Sequence, residues 1–435
     1  MYFIFFNHVK KWVFIYNLGN KEVITSCNLI FNRDSRSKSY AVQPNPNLNL
    51  TITIPKTIKN NFNPSTLTTY NPRLEVKATN NWIVDVWNKS VVCLKNLWNS
   101  LTACLGLKTN SSTNDFNLSI NPRQHAHHIN NPNKRFVYDR LLEGRTVAGQ
   151  VIITKSSLND TQSLEAKAVF PPARTPVGVV NGTFRYDAST PDTVHWTANF
   201  ADSQLFGFCE GPLLAQDELQ VLEHPALAHA KNALAPHQRT LQNNDVALFQ
   251  NVPRLGALDT TTPIAGRFTP QTLYGNYFAQ ASQAEISSRL TRFDNPVASN
   301  IYAIVASHIP PSLNGHPYLR KDLEKPFFTL YNAAQAIKAA SPGKINIMHN
   351  GNWGMGAFGN DPKTMYLLIL AAARFAGVDG LRIYPMTNQN QLQAATQLLG
   401  HIEQQFPQMT AGQFLDHLTA NAATYGLRYG VGNGT

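Results

Sequence analysis

The sequence predicts an α/β domain built on a mixed sheet with helices on both faces. Three observations carry this reading. From about residue 136 onward, short β-rich runs alternate with helical stretches. The chain has 435 residues, of which 43% are hydrophobic and 10% aromatic, enough for a sizeable core and incompatible with a wholly disordered or disulfide-stapled small protein. The charge is also uneven: residues 1–140 hold 17 Lys+Arg against 6 Asp+Glu, which accounts for the whole net charge of +11 and leaves 20 of each sign for the remainder. A basic N-terminal region therefore precedes a neutral α/β region, and the two are read as 1–135 and 136–435.

In the α/β region the expected strands are 149–154 (GQVIIT), 245–249 (DVALF), 300–307 (NIYAIVAS), 344–350 (KINIMHN) and 380–385 (GLRIYP). The expected helices are 213–224, 321–340, 361–376, 388–406 and 411–424. Gly211-Pro212 opens the first of these, and Asn360 or Asp361 caps the third with Pro362 at its first position. In sheets of this kind, ligands bind where strand ends run into loops.

The N-terminal extension is different in texture, with roughly one residue in six Asn and few acids. Residues 35–72 read as loop and short strand. Residues 81–107 read as one or two amphipathic helices, with Trp82, Val91, Leu94, Trp98, Leu101 and Leu105 near helical spacing. Residues 108–134 read as a linker, and its His125, His127 and His128 as a solvated cluster with no Cys or acid at ligand spacing. The basic flank suits either a solvated surface or an anionic partner, and the first is the expected one. The apolar start, residues 1–18, is interrupted by Lys10 and Lys11, so neither a signal peptide nor a membrane span is expected. Cys27, Cys93, Cys104 and Cys209 fit no zinc template, and so few thiols suggest a reducing, cytoplasmic setting.

Two loops carry chemistry. The first, HNGNWGMGAFGNDPK at 349–363, joins an apolar strand to a helix N-terminus and holds Gly351, Gly354, Gly356 and Gly359. Such a turn offers backbone N–H groups to an anion such as a diphosphate, while Trp353 and Phe358 supply flat apolar faces. It contains neither the P-loop nor the dinucleotide fingerprint. The second, residues 199–227, leads into a helix whose first turn carries Gln216, Asp217 and Glu218. Taken alone, the first loop is equally well a tight turn with buried aromatics, and the second is more readily an acid pair favoured by the helix dipole.

Together they resemble the poly(ADP-ribose) glycohydrolase family of macrodomains. Asn199-Phe200-Ala201-Asp202 stands where that family has D-F-A-N. Gln216-Asp217-Glu218 stands for its Q-E-E, and GNWGMGAFGND at 351–361 for its G-N-W-G-C-G-A-F-G-G-D. The resemblance covers about 195–385 closely and 136–435 loosely, and does not reach 1–135. It implies a macrodomain-like three-layer α/β/α fold with a mixed central sheet, preceded by the Asn-rich, partly helical extension. It implies a cleft for ADP-ribose, with the diphosphate between 206–212 and 351–360 and Phe358 on the distal ribose. Glu218 maps to the catalytic acid and Asp217 to the substrate-positioning acid. Asp202, Gln216, Gly207, Asn352, Trp353, Gly354, Gly356, Ala357, Phe358 and Gly359 complete the expected binding residues. Tyr274 and Tyr277 are candidates to touch adenine. No metal and no cofactor are expected, since one carboxyl of raised pKa can protonate the leaving atom and then deprotonate water.

Three departures shape the expected activity. Asp202 replaces an Asn, Asp217 replaces a Glu, and Phe206-Gly207-Phe208 with Gly211-Pro212-Leu213 replaces a glycine run. Bulky residues and proline limit close backbone approach, which favours mono-ADP-ribose on a protein over polymer. Three converging carboxylates favour a cationic, arginine-linked leaving group. A poly(ADP-ribose) glycohydrolase and a non-catalytic ADP-ribose-binding module remain the alternatives. The texture of the extension also resembles an effector released by a bacterium into a host cytosol.

Overall fold

The computed structural model describes residues 129–145, 150–171, 174–234, 240–264 and 271–431, together with the backbone of six strands nearer the N-terminus. The chain divides into Met1–Lys95 and Asn96–Thr435. In the first unit, β1 (Tyr2–Phe6), β2 (Lys11–Leu18) and β3 (Lys21–Asn28) pair in order as an antiparallel sheet. The short strands β4 (Asn32–Arg33) and β5 (Tyr40–Ala41) form a separate antiparallel pair. The helices expected over 81–107 and the cluster His125, His127 and His128 lie outside the described residues.

The second unit is built on eight strands in the order β6-β7-β10-β11-β9-β12-β13-β8. These are β6 (Ser111–Ser119), β7 (Gln150–Leu158), β8 (Val177–Val179), β9 (Thr193–Ala201), β10 (Asp245–Leu258), β11 (Leu290–Val305), β12 (Ile345–Asn350) and β13 (Gly380–Ile383). From β11 to β8 the neighbours run parallel, and from β11 to β6 each pairing is antiparallel, so the sheet is mixed as expected. The five anticipated strands fall on β7, β10, β11, β12 and β13.

Nine helices are seen among the described residues: α1 (Pro132–Leu142), α2 (Thr161–Lys167), α3 (Gln216–Glu223), α4 (Pro225–Leu234), α5 (Gln283–Arg289), α6 (Arg320–Ala340), α7 (Pro362–Ala376), α8 (Gln389–Gln405) and α9 (Ala411–Ala420). Side chains alternate across the sheet. Val246 and Leu248 of β10, Tyr302 and Ile304 of β11, and Val194 and Trp196 of β9 enter one core with α6, α7, α8 and α9. Ala247, Phe249, Ile301 and Ala303 enter the other with α1, α3, α4 and α5. Two cores on opposite faces of one sheet make the three-layer arrangement.

Two regions differ from the sequence expectation. The segment 108–134, read as linker, contains β6 and the start of α1. Polar residues dominate both, and what holds them is backbone pairing of β6 with β7 and the Asn131 side chain accepting from the Asn133 and Lys134 N–H groups. Residues 199–201, read as the start of a loop, close the central strand β9. Its polar positions conceal it, because His195 and Asn199 find their partners, His349 and Asp217, only in the folded state.

Phe327 on α6 is fully buried and meets Phe328, Phe375 and Phe414 with ring centroids 5.1, 5.6 and 6.1 Å away. Phe327→Ala is expected to cost about 3–5 kcal/mol through lost burial and a residual cavity, measurable as a lower urea midpoint. A cost within about 0.5 kcal/mol would mean that α6 does not seal this core.

Candidate active site

The C-terminal ends of β9, β11 and β12 bring the two loops together. The last pairing between β12 and β9 sets His349 opposite Thr197, so the end of β9 needs other partners on that side. Gln216 supplies them: the Phe200 N–H donates to Gln216 Oε1 at 2.8 Å, and Gln216 Nε2 donates to the Ala198 carbonyl at 3.1 Å. A side-chain amide thus continues the ladder where the neighbouring strand stops. It also fixes the first turn of α3 against β9 and places Asp217 and Glu218 at the seam.

Asp217 accepts from Asn199 Nδ2 at 2.9 Å, and Glu218 Oε2 turns back to accept from the Ala215 N–H at 2.9 Å. Ala215 has no capping side chain, so Glu218 satisfies an N–H group at the helix start. Both acids are buried. Burial, together with the Glu218 carboxylate alongside, drives Asp217 well above the usual carboxylate range, against the Asn199 hydrogen bond. Burial raises Glu218 as well. The two behave as one acid pair that holds a proton toward neutral pH.

Lys134, the third residue of α1, is fully buried, and its Nζ reaches the Phe208 carbonyl at 3.4 Å. Burial lowers its pKa, while Glu218, Cys209 and Asp217 pull it back up. It is the cation that offsets the two acids. Sequence reading missed it because it sits in a polar stretch resembling a linker. Asn199 was missed too: an Asp at that position would set a third carboxylate against Asp217, whereas the amide donates to it. Cys209 is buried and its thiol is pushed up to about 12, which keeps it an inert packing group.

Asp202 does not join the pair. Its Oδ1 accepts from the Gln204 N–H at 2.8 Å and closes a turn, and its charge acts on both acids only as the weakest of their influences. The turn continues through Phe206, buried at φ 58°, and through Gly207, where an added Cβ would lie 2.7 Å from the Gln204 carbonyl oxygen. Gly207 is therefore required by the turn itself. Phe208 is 58% exposed at the loop tip.

The 351–361 loop is held from beneath. Trp353 is fully buried with its indole N–H on the Ile304 carbonyl at 3.2 Å, so it anchors the loop and offers no face to the cleft. Asn360 Nδ2 ties Gly354 and Ser307 together at 3.0 and 2.8 Å. Gly354 has φ 74°, and a Cβ there would meet Ala306 at 2.8 Å. Asn352 accepts from the Tyr366 hydroxyl. The Gly359 N–H bonds the Gly356 carbonyl, and the Phe358 carbonyl accepts from Ile309. The N–H groups of Gly356, Ala357 and Phe358 have no hydrogen-bond acceptor among the described residues. Three successive open N–H groups suit an anion. Asp361 caps α7 through the Thr364 N–H and hydroxyl, with Pro362 following.

The loops meet through Phe200. Its N–H is on Gln216, and its ring lies 3.6 Å from where a Cβ on Gly351 would stand. Tyr274 lies beside Glu218 rather than apart from the acids, drawn there by the paired backbones of Leu214 and Gly275. Tyr277 hydrogen-bonds Glu285. An open cleft of 410 Å³ between 130–132 and 210–212 is lined by neither acid. Among the described residues, the one group arranged as for a metal ion is Asp187, His195 and His349, which lies apart from the acids.

No family model matches the chain, and no curated protein is similar to it in sequence. Solved structures do match. The poly(ADP-ribose) glycohydrolase of Thermomonospora curvata shares 14% identity over 66% of this chain and 85% of its own, with a TM-score of 0.33. That of Deinococcus radiodurans, solved with ADP-ribose, shares 14% over 57% of this chain and 93% of its own, with a TM-score of 0.33. A macrodomain of Oceanobacillus iheyensis shares 11% over 51% and 91%, with a TM-score of 0.31. No helix among the described residues is long and apolar enough to cross a membrane.

The acid pair makes stability depend on pH. Folding raises the pKa of Asp217, so the folded chain holds a proton that the unfolded chain has released. Stability therefore falls as pH rises from the usual carboxylate range to the raised value. Asp217→Asn removes this loss. It is expected to raise the Tm by at least about 2 °C at about pH 8 and to change it little near pH 4. A lower Tm for the variant at the higher pH would overturn the assignment of strain to this pair.

Proposed function

We propose that this chain is an ADP-ribosylhydrolase that removes mono-ADP-ribose from protein side chains. The observation that carries the reading is the buried Asp217–Glu218 pair, held toward protonation at the strand ends and linked through Phe200 to a glycine loop with open N–H groups. The motifs that resemble the poly(ADP-ribose) glycohydrolases supply the ligand: the same residues form both halves of this arrangement.

In this reading the diphosphate lies on the N–H groups of 356–358, and Phe358, half-buried and edge-on to His308, packs against the distal ribose. Glu218 donates a proton to the atom leaving the anomeric carbon while positive charge builds on the ribose. The resulting carboxylate then takes a proton from the attacking water. Asp217, tied to Asn199, orients the ribose hydroxyls, and Lys134 keeps the ionised intermediate state of the pair accessible. The residues suffice for this route without a bound metal.

The turn at Phe206–Phe208 supports single ADP-ribose units over polymer. With Asp202 committed to its own turn, the arginine preference rests on Asp217 and Glu218, whose developing charge suits a planar guanidinium leaving group.

Glu218→Gln is expected to keep ADP-ribose affinity within a few fold and to lower turnover by about two to four orders of magnitude. Calorimetry and release of free ADP-ribose check the two halves separately, and unchanged turnover removes Glu218 from the mechanism. On a panel of arginine-, serine- and glutamate-linked ADP-ribose plus polymer, wild type is expected to release ADP-ribose fastest from the arginine-linked substrate. Faster release from serine, or from polymer alone, would overturn the linkage.

A further inference from the structure

A second cluster of chemistry-bearing side chains lies on the sheet away from the acid pair. His195 on β9 and His349 on β12 sit diagonally on neighbouring parallel strands, since Ile347 is opposite His195 and His349 is opposite Thr197. Both are on the face away from Val194, Trp196 and Met348, which enter the α6–α7 core. His195 Nδ1 and His349 Nε2 face each other at 2.9 Å. The connection from β8 to β9 brings in Asp187, whose Oδ2 lies 4.0 Å from the same His349 nitrogen. One donor atom from each residue falls within a span of 4.8 Å.

Tetrahedral zinc with bonds of about 2.0–2.2 Å separates its ligand atoms by about 3.3 Å. The two imidazoles need to part by a few tenths of an ångström, and Asp187, 45% exposed, needs to close by up to about 1.5 Å. His349 is already oriented from behind: its other nitrogen, Nδ1, is 2.9 Å from the Tyr384 hydroxyl. A hydrogen bond on the non-ligating nitrogen is how metal-binding histidines are held. A hydrogen bond between the two histidines accounts for their approach, but it leaves the aim of Asp187 unexplained.

We propose that Asp187, His195 and His349 form a binding site for a divalent first-row transition metal, Zn²⁺ foremost. Two imidazoles and one carboxylate match that borderline class better than Ca²⁺ or Mg²⁺. The ion staples the 181–192 connection to β9 and β12, one residue before Asn350 and the glycine loop. Phe184 of that connection packs on Phe200 and Tyr384 at 5.9 and 4.9 Å, so the staple also steadies the residue that joins the two loops. The inference is independent of the proposed hydrolase activity.

The test uses the full chain with His125, His127 and His128 replaced by alanine, so that this cluster does not compete. Metal-free protein is titrated with Co²⁺, followed by visible absorption, and then with Zn²⁺ in competition. One equivalent of Co²⁺ with a four- or five-coordinate spectrum is expected, displaced by Zn²⁺, with a rise in Tm. Asp187→Ala and His195→Ala are each expected to weaken binding at least tenfold. Asp187 is exposed, so its variant reports on the site even where a histidine variant folds poorly. Absence of stoichiometric binding, or wild-type affinity in Asp187→Ala, would overturn the site and leave a hydrogen-bonded histidine pair.

Discussion

Burying two adjacent carboxylates at the first turn of one helix is the constraint around which this domain is arranged. A pair of acids removed from water must be neutralised, protonated or paired. The chain uses each means in part. Lys134 brings a buried cation from α1, Asn199 donates from β9, and Glu218 takes the N–H of its own helix cap. The remaining cost appears as raised proton affinity, which is the property an acid catalyst needs. Stability is given up where the two carboxylates are buried.

The sheet sets where this can happen. β9 lies between β11 and β12 but is paired to β12 only as far as Thr197. A strand that outruns its neighbour leaves backbone groups exposed, and Gln216 fills them with an amide that mimics the missing strand. Helix α3 is thereby docked by hydrogen bonds at its N-terminus and by Val221 and Leu222 in the core. The glycine loop is docked differently, by a buried tryptophan and by one asparagine that spans Ser307 and Gly354. With the loop held from below, the N–H groups of 356–358 have no acceptor among the described residues.

Much of this was legible in the residues. The five apolar strand runs, the long helices and the capped start of α7 follow from periodicity and from Asp361-Pro362. The motif residues Gln216, Asp217 and Glu218 and the 351–361 loop do come together. Where polar residues carry structure, the reading failed. β6 and the start of α1 look like linker because they are held by backbone pairing and an Asn cap, and the end of β9 looks like loop because His195 and Asn199 meet their partners, His349 and Asp217, only in the fold.

The sequence by itself determined the alternation of strands and helices and the position of the acid-bearing and glycine-rich loops, because apolar spacing and glycine positions are local signals. Only the tertiary structure decided which polar groups meet. Lys134 and Asp217 are 83 positions apart, and His195 and His349 are 154 apart. Trp353 became an anchor rather than a ligand face, and Asp202 closed a turn rather than joining the acids. Such outcomes depend on strand order and on where each strand ends. Strand order is set by long-range packing, and a local pattern of residues does not encode it.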